Sequence, residues 1–155
     1  MPEITKNKQA YYDYEILEKF EAGLVLIGQE VKSIKEGRIN LSNAYVVLRQ
    51  GRDKQKPEFY LIGSHVPPYQ PLNLATSYNP ERSRKLLLRK REINYLIGKT
   101  QQKGLTLVPL KVYTIKGNIK LEFGIAKGKK SFDKRETIKK REANREIERE
   151  LKTRG

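Results

Sequence analysis

Six cations fall within ten positions at 82–91, inside the string ERSRKLLLRKRE: Arg82, Arg84, Lys85, Arg89, Lys90 and Arg91. On a helix, Lys85 and Arg89 are i,i+4 neighbours and Arg82 joins them one turn earlier. A row at that pitch can follow the phosphates of a nucleic-acid backbone and release condensed counterions. Little acid stands nearby in the chain to neutralise it, which favours phosphate contact over a merely solvated face. Leu86, Leu87 and Leu88 are assigned first to a core. A second group is aromatic: Tyr11, Tyr12, Tyr14 and Phe20. Rings on a β-surface can stack bases, although a tyrosine on a half-buried strand ordinarily just packs. Glu21, beside Gly23, is open to three roles: solvated, accepting from base edges, or paired with a cation.

The third feature is the terminal run AKGKKSFDKRETIKKREANREIERELKTRG. Residues 127–155 hold 12 Lys+Arg and 6 Asp+Glu, with Phe132 the only aromatic. Asp133 and Glu136 have capping-box spacing, so a helix is expected to start near Lys134. Ala143, Ile147 and Leu151 recur every four residues, and Glu142–Arg145, Glu146–Arg149 and Glu148–Lys152 pair at helical spacing. That stripe is too thin to anchor to a core, and an isolated helix of this length is marginal in water. The segment reads as a tail, largely disordered when free and helical against a polyanion; a plain solubilising tail is the bland alternative.

The chain offers little for other chemistry. It has no cysteine, and His65 is its single histidine. Disulfides and thiolate metal sites are excluded, and no His-based triad, Gly-rich phosphate loop or metal-spaced cluster is present. No catalytic residue, cofactor or small-molecule substrate is expected. The net charge of +15 favours polyanionic partners, nucleic acid or an anionic membrane surface. The N-terminus lacks a signal-peptide h-region and the apolar runs are far too short to span a bilayer, so a soluble cytoplasmic protein is expected.

These residues need elements to position them. Residues 1–10 are polar and read as a flexible N-terminus. YYDYEIL and FEAGLVLIG turn towards β, with Tyr12, Tyr14 and Ile16 on one face, Leu24–Ile27 a buried strand and Gly23 a bulge or bend. GQEVKSIKE (28–36) takes helical spacing before Gly37. NAYVVLRQ (43–50) and EFYLIGSHV (58–66) read as strands around a polar loop, and 67–80 is an irregular proline-rich connection. A helical stretch is expected over roughly 80–102, as one helix or as two meeting near residue 90. LTLVPLKVYTI (105–115) and NIKLEFGIA (118–126) form a hairpin about Lys116-Gly117. Strands that outnumber helices, with a helix before the closing pair, predict a mainly β fold: an OB-like closed β-barrel over 11–126 with about three helices, followed by the basic tail 127–155.

In register along the chain, FEAGLVLIGQEVKSIKEG, NAYVVLR, NPERSRKLLL and AKGKKSFDKRETIKKRE resemble the SsrA-binding protein family. The likeness covers roughly residues 7–142. It implies a non-catalytic protein that binds the tRNA-like domain of tmRNA and enters the empty A site of a stalled ribosome with it. There the protein would fill the place of the missing anticodon arm, at the small-subunit decoding centre and mRNA channel. The resemblance implies RNA contacts at Glu21, Leu87 and Lys120, with Tyr14 and Asn7 at associated positions. It implies ribosome engagement by Lys127, Gly128, Lys129, Lys130, Asp133, Lys134 and Arg135, and by Ile138, Lys139 and Arg141 further along the tail. Two departures stand out. Loop 51–57 is longer and more basic than in compact members, and Ala143 replaces an aromatic that some members carry.

Two rivals remain at the level of sequence. A generic OB-fold nucleic-acid-binding or ribosome-associated module would share the barrel and charge without needing the tail. A peripheral membrane protein would need a Trp/Phe/Leu face that the tail lacks.

Overall fold

The computed structural model describes residues 3–50, 56–69, 78–129, 141, 142 and 145. Among the described residues, seven strands form one antiparallel sheet: β1 (Glu3–Lys6), β2 (Tyr14–Leu24), β3 (Tyr45–Gln50), β4 (Pro57–Ile62), β5 (Arg84–Leu87), β6 (Leu105–Ile115) and β7 (Asn118–Gly128). Three helices described from end to end accompany it: α1 (Lys8–Asp13), α2 (Gly28–Lys35) and α3 (Lys90–Thr100). Hydrogen bonding runs in the order β1-β6-β7-β2-β5-β4-β3. The mainly β composition and the three helices agree with the sequence.

The closed barrel does not. Strands β3 and β6 approach each other, but no ladder among the described residues joins them. The reason is local: β1 pairs with the Lys111–Tyr113 stretch of β6, as Lys6 faces Lys111 and Glu3 faces Tyr113. That part of the β6 edge is therefore occupied, and the sheet stays open. The same pairing corrects the reading of the first ten residues as a flexible leader. Residues 3–6 are a strand, and Asn7 caps α1 by accepting the Ala10 N–H.

Two bulges decide which residues face which side. In β2, Ile16 pairs with Ala126 and Glu18 with Ile125, leaving Leu17 extra. In β6, Pro109 pairs with Phe123 and Lys111 with Glu122, leaving Leu110 extra. An extra residue reverses the alternation of every side chain beyond it. Tyr14 and Ile16 consequently pack with Ala10, Val108, Leu110 and Ala126 under α1. Phe20, Ala22 and Leu24 turn to the opposite face and join the main core around Leu61, Leu121, Phe123 and Ile125. Gly124 lies against the β2 bulge: a Cβ there would stand 2.9 Å from the Glu18 carbonyl and from Ile16 Cγ2.

Three sequence expectations change. Leu24 ends β2, and Val25 and Ile27 are exposed rather than buried. Tyr12 lies on α1 and not on a strand face with Tyr14. The helix expected over 80–102 begins only at Lys90, because Arg84–Leu87 is a strand inserted between β2 and β4. Leucine and arginine favour helix intrinsically, but two ladders override a propensity of a few tenths of a kcal/mol per residue. The final hairpin turns as expected, through Lys116 and Gly117 with φ of 50° and 82°. Two successive positive φ values match the right-handed twist of the strands they join.

Candidate nucleic-acid interface

The strand at 84–87 redistributes the cationic row. Alternation along β5 sends Arg84 and Leu86 inward and leaves Leu87 exposed. Arg84 is fully buried. Its Nε donates to Glu30 Oε2 at 2.6 Å, Nη1 to the Ser64 carbonyl and hydroxyl at 3.1 Å each, and Nη2 to the Pro80 carbonyl at 3.0 Å. It cannot meet a phosphate, so its expected RNA contact is withdrawn. Arg82 spans the edge of the same network, donating to Glu30 Oε1 and to the Val25 carbonyl. Lys85 pairs with Glu58 at 2.9 Å. The acids missing from the local sequence come from α2 and β4. Burial alone would raise the Glu30 carboxyl. Hydrogen bonds from Arg82 and the Ile27 N–H, with the Arg84 charge, outweigh it and hold the group below the ordinary carboxylate range.

Asn7 is likewise structural. Its amide donates to the Pro109 carbonyl at 2.9 Å and the Leu41 carbonyl at 3.3 Å while its oxygen caps α1. Those bonds occupy both amide hydrogens, and the residue is buried, so it holds α1 to the sheet rather than facing a ligand.

Glu21, Leu87 and Lys120 do come together. Across four neighbouring strands, Leu87 stands opposite Gly23, Gly23 opposite Lys120, and Lys120 opposite Tyr113. At about 4.8 Å per strand this row is roughly 14 Å wide. The adjacent row on the same face is Glu21, Glu122 and Lys111. Gly23 supplies a floor without a side chain, and a Cβ there would touch Leu87 Cβ and Cδ1 at 3.4 Å. Leu87 therefore stands as an apolar ridge, 54% exposed, beside bare backbone. A groove of about 570 Å³ runs past it, lined by Glu21, Lys120, Arg89, Arg91 and Glu92 among others. Arg89 is exposed at the start of α3, where its N–H donates to Glu92 Oε1.

Tyr113 holds Glu21 in place, donating its hydroxyl to Glu21 Oε2. Burial, followed by the hydrogen bond and charge of Glu21, pushes the Tyr113 phenol far above its ordinary range. The phenol stays protonated and the carboxylate keeps lone pairs for a further donor. Glu122 sits between Lys19 at 3.8 Å and Lys111 at 3.7 Å. Sequence reasoning missed Tyr113, because it lies 92 residues from Glu21 and only the sheet register joins them. The groove thus offers an apolar ridge for a base, cations for phosphates, and an oriented acceptor for a base amino group or a 2′-hydroxyl.

Tyr14 belongs elsewhere. It starts β2 opposite Gly128, seven residues and roughly 23 Å from Glu21. Burial first, then Tyr45 and Asp13, raises its phenol above the usual value. The start of the tail is fixed at this end: Lys127 and Gly128 complete β7, and the Lys129 N–H and Nζ donate to the Asp13 and Tyr11 carbonyls, each at 2.9 Å. Arg141, Glu142 and Arg145 are helical, and the Arg141 guanidinium lies 5.9 Å from the Tyr12 ring centroid. Lys130, Asp133, Lys134, Arg135, Ile138 and Lys139 lie outside the described residues, as does most of loop 51–57. Among the described residues no helix is long and apolar enough to cross a membrane, and no acidic or histidine cluster could hold a metal.

Open sheet, cationic groove and oriented acceptor describe a small, basic RNA-binding protein of the mainly β class. The chain belongs to the SmpB family of SsrA-binding proteins, whose model, SmpB protein, matches residues 4–153. The SsrA-binding protein of Syntrophobacter fumaroxidans is 52% identical over 151 residues, covering 97% of this chain and 89% of its own length. That of Carboxydothermus hydrogenoformans is 52% identical over 152 residues, covering 97% of both. A chain in the solved structure "tmRNA-SmpB: a journey to the center of the bacterial ribosome" is 42% identical, with a TM-score of 0.65 over 84% of this chain and 87% of its own.

Proposed function

We propose that this chain binds the tRNA-like domain of tmRNA and delivers it to the A site of stalled ribosomes, where translation switches to the tmRNA frame and the nascent chain is tagged. Membership of the SmpB family over nearly the whole length carries this reading. The protein acts in the cytoplasm as a binding partner and catalyses nothing itself. The curvature that brings β3 towards β6 supports an OB-like description of the sheet, short of ladder closure.

Two ends divide the work. Glu21, Leu87 and Lys120, with Arg89 in the same groove, grip the tRNA-like domain; Arg82 and Lys85 contribute only the charge left over from Glu30 and Glu58. Tyr14, Lys127, Gly128 and Lys129 set the base of the tail at the far end of β2. From there Lys130, Asp133, Lys134, Arg135, Ile138, Lys139 and Arg141 engage the decoding centre and mRNA channel. Separation of roughly 23 Å lets one end hold tmRNA while the other reads the ribosome.

A crossed pair of variants tests the division. Glu21→Lys is expected to weaken tmRNA binding with the thermal midpoint unchanged. Lys134→Ala with Arg135→Ala is expected to leave tmRNA affinity intact and abolish tagging in a reconstituted stalled-ribosome assay. Normal binding by the first, or lost binding by the second, would refute it.

A further inference from the structure

A second cavity, of about 610 Å³, opens on the other side of β5 from the Glu21–Lys120 groove. Leu87 lines both cavities, so they meet at one ridge. The floor is apolar: Leu86, Leu88 and Ile93. The rim is cationic, from Lys56, Lys85 and Lys90, and Glu58 beside them is already engaged by Lys85 and by the Tyr60 hydroxyl at 2.8 Å. One neutral group that both donates and accepts, the exposed side-chain amide of Asn94 on α3, completes the wall.

A flat apolar ring carrying a negative charge and a hydrogen-bonding edge fits that combination. Aliphatic side chains cover the faces of a base pulled out of a stack. Lysines hold its phosphates as point charges without selecting sequence. A side-chain amide pairs with an adenine edge through one donor and one acceptor. A wholly hydrophobic ligand would leave the Lys56 and Lys90 ammonium groups unmatched, and a bare phosphate would leave the floor wet.

We infer that the pocket between β4, β5 and α3 captures one unstacked nucleotide, a purine read by Asn94, from the same RNA that lies along the Glu21–Leu87–Lys120 groove. The inference rests on the proposed RNA-binding function and extends it from a grip on shape to the reading of a single base. Continuity through Leu87 makes the RNA strand the occupant: a backbone crossing the ridge places successive nucleotides on its two sides.

Chemical mapping of the tRNA-like domain of tmRNA bound to the full-length protein tests this. Wild type is expected to protect an unpaired purine that Asn94→Ala exposes again, with the other protections retained and affinity lowered about tenfold, equivalent to the ~1.4 kcal/mol of one base contact. Lys90→Ala is expected to weaken binding without changing the pattern. Both residues are exposed on α3, so matching thermal midpoints exclude misfolding. An unchanged map and affinity for Asn94→Ala would overturn the inference while leaving the grip intact. Saturable micromolar binding of free AMP that Asn94→Ala abolishes, with the RNA map unmoved, would overturn it in favour of a free-nucleotide site. Absence of any protection by wild type would instead count against the RNA-binding reading itself.

Discussion

Arg84 and Lys85 are adjacent cations with opposite fates. Arg84 is buried against Glu30, Ser64 and Pro80, whereas Lys85 makes one solvent-facing pair with Glu58. Removing the guanidinium strips the buried Glu30 carboxylate of its fully buried partner, leaving only Arg82 and the Ile27 N–H, and leaves the Ser64 and Pro80 carbonyls without that donor, so Arg84→Ala is expected to cost about 3–5 kcal/mol of stability. Lys85→Ala should cost less than about 1 kcal/mol. Denaturant midpoints at neutral pH measure both, and near-equal losses would contradict the assignment. Glu30 adds a pH dependence. Its folded value lies below the unfolded one, so its contribution is complete above the ordinary glutamate range, about 4.3, and is lost as pH falls through the folded value. Unfolding free energy should therefore drop on acidification below about pH 5, and Glu30→Gln should flatten that limb although it starts from lower stability. An identical acid slope in the variant would remove Glu30 from the account.

The bulges in β2 and β6 let one ribbon serve two cores. Gly124→Val places a branched side chain against the Glu18 carbonyl and Ile16, and is expected to destabilise by about 1–3 kcal/mol. Gly128, with open space beside it, should accept the same change at little cost in unfolding experiments. Strands β3, β4, β6 and β7 and helix α2 followed from alternation, turn residues and helical spacing, each a local signal. What local signals could not carry was partnership. The string RKLL reads as helix until β2 and β4 flank it, and YYDY reads as strand until Asn7 caps a helix across it. Lysines and arginines at 82–85 looked unneutralised because Glu30 and Glu58 lie 52 and 27 positions away along the chain. The same holds for the site. Glu21, Leu87 and Lys120 were named through a resemblance, and the sheet register is what sets them side by side. The Tyr113 support and the bare Gly23 floor needed the structure.

For the whole molecule, the charge of +15 is not spread as a uniform coat. Arg82, Arg84 and Lys85 are engaged by Glu30 and Glu58, while Arg89, Arg91 and Lys120 line the groove at Leu87 and Lys56 and Lys90 stand on the rim of the neighbouring pocket. Non-specific attraction to any polyanion falls steeply with salt, whereas in the proposed function the Glu21 acceptor and the Leu87 ridge select one RNA shape. Selectivity at physiological ionic strength therefore tests the central claim most directly. Affinity should be measured side by side for the tRNA-like domain of tmRNA and for an unrelated structured RNA of equal length. The account predicts clearly tighter binding of the tRNA-like domain, with the margin widening as salt is raised. Equal affinity for the two RNAs across the salt series would contradict it.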